Sequence, residues 1–175
     1  MADVTTEQVW EELAKRPFIV VGTVTGQGEA RTAGVLPHVA DGVVWFTTYA
    51  RMWKARHIAA NPHVSVTAPA HRRVWFAPWV RIPDATITFR GTAEVVPAER
   101  MPREALDALT HGLDLAEDGP DGPLVGIAIR PRGDFVTYGI GVPVMAMTDP
   151  ARAAGRAPTG APAGDPELTR RAVAR

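Results

Sequence analysis

Two short turn signals in the first third of the chain constrain its topology most. Gly26-Gln27-Gly28 separates residues 18–25 from residues 29–39, and Asp41-Gly42 separates the latter from residues 43–48. All three runs are rich in β-branched and aromatic residues, the composition of strands. Turns of two or three residues join antiparallel neighbours, because a parallel crossover needs a dozen residues or more. The opening third is therefore predicted to be an antiparallel meander. A helix is predicted ahead of it over residues 5–15. Thr5 and Gln8 have capping-box spacing, Val9, Trp10, Leu13 and Ala14 share one face, and Pro17 ends the run. Trp10 reads as a packing residue.

The stretch from Val43 to Thr67 organises the rest. Val43-Val44-Trp45-Phe46-Thr47-Thr48 reads as a strand. Residues 49–60 contain no Gly, Pro or β-branched run and read as a short cationic helix. Asn61-Pro62 stops it, since the residue before a proline is pushed out of the α region. Residues 63–67 form the next strand. Two hydroxyls, Thr47 and Thr48, thus leave a strand end just before a turn carrying Arg51 and Lys54. Hydroxyl and backbone N–H donors beside fixed positive charge suit a phosphate, although a solvated surface helix has the same composition.

Beyond this point, residues 74–80 are rich in Trp and Phe but contain Pro78, and read as an irregular aromatic excursion. Residues 85–96 alternate as a long strand in which Gly91 signals a bulge or a close backbone approach. Residues 102–113 read as a helix with Ala105, Leu106, Leu109 and Leu113 on one face. Residues 124–129 and 134–138 read as two further strands. From Asp149 the composition turns to Ala, Arg, Gly and Pro. The expected organisation is one domain over residues 1–148 and a disordered tail over 149–175, in which residues 167–173 read as frayed tail rather than helix.

Composition removes several function classes. The chain has no cysteine, which rules out disulfides, thiolate catalysis and cysteine-bound zinc, and accords with a cytoplasmic protein. Its formal net charge is zero, so no general affinity for nucleic acid follows. No apolar run approaches the roughly 20 residues that span a bilayer, so no membrane partner is expected, and the N-terminus lacks the marks of a signal peptide. No Ser-His-Asp, paired-carboxylate or metal-ligand constellation is evident, and the histidines are scattered over different elements. About seven strands, one helix inserted among them and two outside suggest a mainly β fold, a barrel with flanking helices.

The ordered set of these pieces resembles the pyridoxamine-5′-phosphate-oxidase-like family, the FMN-binding split β-barrels. The resemblance covers residues 7–138. It rests on the leading helix before Phe18-Ile19-Val20-Val21-Gly22-Thr23-Val24, the hairpin partner beginning Ala30-Arg31, and the strand end Trp45-Phe46-Thr47-Thr48. To these it adds Lys54 seven residues before Asn61-Pro62, and Arg90-Gly91-Thr92-Ala93-Glu94. The resemblance implies a homodimer with FMN at the subunit interface and a flavin-dependent oxidoreductase acting on a small-molecule substrate. It assigns the phosphate to Arg31 and Lys54, with Arg51 or Arg56 to compensate where this chain departs from the oxidases, and the isoalloxazine and ribityl region to Thr47 and Thr48. Thr86 stands where the oxidases carry a cofactor-contacting Gln. The oxidases' Ser-Arg pair before the helix lysine stands here as Met52 and Trp53, so pyridoxamine-phosphate oxidation itself is not the expected activity. Two other cofactors fit the same scaffold. A deazaflavin (coenzyme F420) would use a basic groove from Arg72, Arg73 and Arg81; a further alternative is a protein that binds flavin or haem without turnover, with His57 or His71 as the haem ligand. The flavin performs the redox chemistry in such proteins, and the protein binds, orients and tunes it.

Overall fold

The computed structural model describes residues 2–70, 84–112 and 120–160. The excursion at 74–80, His71, Arg72, Arg73, Arg81 and the 167–173 segment lie outside the described residues. Nine strands and four α-helices are present among those described. They are β1 (Ala2–Asp3), α1 (Thr6–Ala14), β2 (Ile19–Val24), β3 (Ala30–Val35), β4 (His38–Ala40), β5 (Val43–Tyr49), α2 (Trp53–Ala60), β6 (His63–Ala70), β7 (Ala85–Pro97), α3 (Arg103–Thr110), β8 (Leu124–Tyr138), α4 (Pro150–Ala153) and β9 (Ala154–Pro158).

The expected capping box is formed: the Thr5 side chain accepts from the Gln8 backbone and the Gln8 side chain accepts from the Thr5 backbone. Val9 and Leu13 of α1 are fully buried. Trp10 packs edge-on against Phe135 at 5.2 Å between ring centroids, as a packing residue should. The meander is also formed, with one change. The run predicted as a single partner strand over 29–39 breaks at Leu36-Pro37, because proline cannot donate to a ladder. Its first part, β3, pairs with β2, and its second, β4, pairs with β5.

The sheet runs β1-β9-β8-β7-β6-β2-β3, with β5 joined to β8 and β4 to β5. All pairings are antiparallel except β1 with β9. Strand β8 sets this order. The sequence suggested two strands here, interrupted by Pro131 and Gly133; the structure has one of 15 residues. Gly133 takes the left-handed φ of 77° that only glycine adopts without strain, so the strand continues through the irregularity. One edge of β8 pairs along its length with β7. On the other edge its first half pairs with β5 and its second half with β9. That division leaves β3 and β4 unpaired with each other, so the sheet curls into a split barrel without closing.

Gly91 fulfils the close-approach alternative. A Cβ there would lie 2.6 Å from the Arg130 carbonyl oxygen across the ladder, while the register shift itself falls between Thr88 and Arg90. Past residue 148 the described chain continues in α4 and β9. Asp149 caps α4 through its side chain, and β9 pairs with both β8 and β1. Gly155 has no side chain to clash with the Thr137 hydroxyl, and Ala153 and Ala157 are buried, so small residues are what this edge requires.

The main core is the barrel interior, where Ile19, Val21, Phe46, Ile58, Ile87, Ile127, Ile129 and Phe135 meet α1 and α2. A smaller cluster of Trp45, Val96, Met101, Ala105 and Ala128 lies on the other face of β5 and β8, beneath α3. No helix among the described residues is long and apolar enough to cross a membrane.

Candidate functional site

Helix α2 packs against β2, β5 and β7. Ile58 anchors it in the barrel core, and Asn61 ends it in extended backbone before Pro62, as the sequence required. Lys54 precedes Ile58 by four residues and His57 by three, so all three share one side of the helix. Met52 occupies the N-cap without a side-chain hydrogen bond, and the first turn holds no acidic residue. The leading N–H groups of α2 therefore have no side-chain cap.

Strand β2 connects this helix to Arg31. Thr23 and Arg31 are direct cross-strand partners, which places their side chains on one face of the hairpin. The Thr23 hydroxyl lies 3.4 Å from the Arg31 carbonyl oxygen and 3.4 Å from His57 Nδ1. The Arg31 row and the Lys54 side of α2 thus meet on a single face. Thr48 points to the same interior: it is buried, and strand alternation groups it with Val44 and Phe46. Arg31 and Lys54 are the predicted residues that lie on the elements joined at the Thr23–His57 contact; Thr48 is buried on the inner face of β5. Among the described residues, neither Arg31 nor Lys54 forms an ion pair with a carboxylate. The face accordingly presents uncompensated positive charge, uncapped N–H donors and a hydroxyl, the donor set of a phosphate group.

The other predicted residues lie elsewhere. Thr47 belongs to the opposite face of β5, with Trp45, because successive strand residues point to opposite sides. Arg51 is tied to the 120–123 turn. Its guanidinium donates to the Pro120 carbonyl at 3.3 Å, its backbone N–H donates to Asp121, and its side chain covers Gly122. Thr86 pairs with Tyr138 at one end of β7, whereas Thr47 aligns through Gly126 with Val96 near the other end. Ten residues of strand separate them, roughly 33 Å of contour at about 3.3 Å per residue.

Residue-type reasoning missed the Thr23–His57 contact, because its members are 34 residues apart on different elements. The Phe18-to-Val24 alternation could have shown it, since it places Thr23 among inward-facing positions. Trp53 lies beside the cationic face. Its ring is 5.2 Å from the His57 ring and 5.9 Å from Lys54 Nζ, at the outer limit of a cation–π contact. No group of three or more histidine, aspartate or glutamate side chains suited to a metal ion occurs among the described residues.

The sequence profile described as pyridoxamine 5′-phosphate oxidase matches residues 5–132. The chain belongs to this family. Its members provide the frame for β2 through most of β8, the elements that hold Arg31, Thr48 and Lys54. None of the curated proteins compared with it is significantly similar in sequence. Among solved structures, a haem-binding protein from Mycobacterium smegmatis superposes with a TM-score of 0.62 at 14% identity, covering 91% of this chain and 60% of that one. A FAD-binding protein from Mesorhizobium loti superposes at 0.55 with 18% identity, covering 70% of this chain and 86% of the other. An F420 reductase superposes at 0.50 with 23% identity, covering 71% and 94%. At these identities the likeness is one of fold, and the fold accommodates flavin, deazaflavin and haem.

Proposed function

We propose that the protein is an FMN-dependent oxidoreductase acting on a small-molecule substrate, with the FMN phosphate held by Arg31, Lys54, the Thr48 hydroxyl and the first-turn N–H groups of α2. The observation that carries this reading is the bridge at Thr23, which joins the Arg31 row to the Lys54 side of α2 on a face without a pairing carboxylate. A phosphate monoester supplies the missing negative charge and the acceptor oxygens. Bound flavin contributes the redox chemistry; the chain's task is to bind it, orient it and exclude water. The homodimer belongs to the same reading. Thr86 lies at the far end of β7 from the level of Thr47 in its own chain, and a second copy would let residues from both ends of the strand meet one cofactor.

The test is the visible spectrum of purified protein, followed by mass spectrometry of what heat releases and by light scattering. A flavin spectrum with the FMN mass, from a dimeric particle, is the expected result. A haem band would transfer the protein to the haem-binding class. A colourless protein that fails to bind added FMN would overturn the proposal, and a monomer at micromolar concentration would remove its interfacial part.

A further inference from the structure

Thr23 is almost fully buried, at 3% exposure. Its hydroxyl has one proton and two polar neighbours, the Arg31 carbonyl and His57 Nδ1. Both contacts are satisfied together when the hydroxyl donates to the carbonyl and an Nδ1–H donates to the hydroxyl oxygen. That assignment puts the neutral ring's proton on Nδ1 and leaves Nε2 as its basic atom. The ring is half-exposed and tilted at 59° against Trp53, whose indole also lies near Lys54 Nζ.

The groups around His57 have one sign. The strands packed against α2 present uncharged residues on their inner faces: Val21 and Thr23 from β2, Phe46 and Thr48 from β5, Phe89 and Ala93 from β7. Strand β3 adds Arg31. On α2, Lys54 is one turn before His57, and Arg56 is exposed. The nearest acidic residue along the hairpin, Glu29, is exposed at its tip, and among the described residues His57 forms no ion pair.

We propose that His57 is the third and titratable cation of an anion site formed with Arg31 and Lys54, so that a phosphate monoester binds with uptake of a solvent proton at Nε2. This rests on the phosphate-site reading above, and not on the bound molecule being a flavin. Proton uptake and anion binding then favour each other, because each stabilises the state the other prefers. Trp53 limits the ring's freedom, and Thr23 fixes which nitrogen faces the ligand.

Two measurements test it. In the first, the His57 ring is followed by NMR from pH 5 to 8.5 in the full chain, with and without inorganic phosphate. Its titration midpoint should move to higher pH on adding phosphate, and Lys54→Ala should reduce the movement. In the second, FMN is titrated into wild type and His57→Asn, whose amide retains a donor toward Thr23. The advantage of wild type over the variant should grow about tenfold from pH 8 to pH 5.5, the scale of one charge-assisted hydrogen bond. Riboflavin, which lacks the phosphate, should show no such difference. Parallel pH profiles for the two proteins, or a His57 midpoint indifferent to phosphate while FMN binds, would overturn the inference. A midpoint that responds to phosphate in a protein that refuses FMN would support the anion site and remove the flavin.

Discussion

The two helices inserted between strands of the barrel have the same length and opposite characters. Helices α2 and α3 are both 8 residues long. Helix α3 follows the dipole rule at its start and closes with a left-handed cap. Glu104 lies in its first turn, where the helix dipole favours negative charge, and His111 closes it in the left-handed conformation. Ala105, Leu106 and Leu109 meet the small cluster around Trp45 and Met101. A Cβ at Gly126 would press on the Met101 side chain of this cluster. Helix α2 departs from the same rules. Its N-cap Met52 makes no side-chain hydrogen bond, as Pro102 of α3 makes none, but its first turn contains Lys54 and no acid. A short helix is marginal by itself, so α2 depends on Ile58 and the barrel for its existence. The lesson is that α3 is built to cover a core and α2 to present charge: the departures coincide with the residues proposed to bind.

The largest expected effect separates the two helices by their dependence on the core. Ile58→Ala should destabilise the fold by about 2–5 kcal/mol, since it empties a fully packed site. The half-buried Leu106→Ala on α3 should cost only about 1–2 kcal/mol. Chemical denaturation of both variants measures the contrast, and equal losses would erase it. Next comes Lys54→Ala, which should weaken FMN binding by about 1.5–3 kcal/mol, the scale of a hydrogen bond to a charged group. Isothermal titration decides this, and an unchanged affinity would remove Lys54 from the site. Smallest is a pair of charge reversals. Lys54→Glu should stabilise the protein without cofactor by about 0.3–1 kcal/mol and abolish phosphate binding, whereas Glu104→Lys should destabilise it by a similar amount. Thermal melts at low salt resolve the signs; two shifts in the same direction would show that the helix ends do not differ as described.

The same contrast explains what could be read from residues alone. Local signals were legible: the capping box at Thr5, the Asn61-Pro62 stop, the inserted cationic helix and the alternation of β7 all depend on neighbours within a few positions. Features set by distant partners were not. Pro131 and Gly133 looked like a break in β8, yet β7 pairs with Arg130, Pro131 and Arg132 and carries the strand past them. The Ala-, Gly- and Arg-rich segment after Asp149 looked unable to order itself, and in isolation it has little apolar surface to bury. An existing edge on β8 supplies its ladder, so strand β9 needs small residues rather than large ones. In the site, Lys54 and Arg31 were identified by resemblance, while the Thr23–His57 contact that links their elements was visible only in the structure. The adjacent Thr47 and Thr48 were read as a pair, although a period of two sends their side chains apart. Arg51 looked like a free cation because the turn that engages it lies about 70 residues further on.

The parallel pair of β1 with β9 has a consequence for how the chain reaches this fold. Ala2 lies opposite Gly155, and Thr6 donates to the Pro158 carbonyl at 2.8 Å. Contacts between such distant positions close the longest loop available, and their entropic cost falls before any local gain can offset it. Such contacts are expected to form late, after the β6–β7–β8 ladder that β9 must dock on. They also hold the two ends of the sheet's circuit side by side. A circular permutant that links these ends and opens the chain at Asp41-Gly42 would turn the slowest contact into a local one, and should fold faster than the natural order while keeping the Thr23–His57 contact.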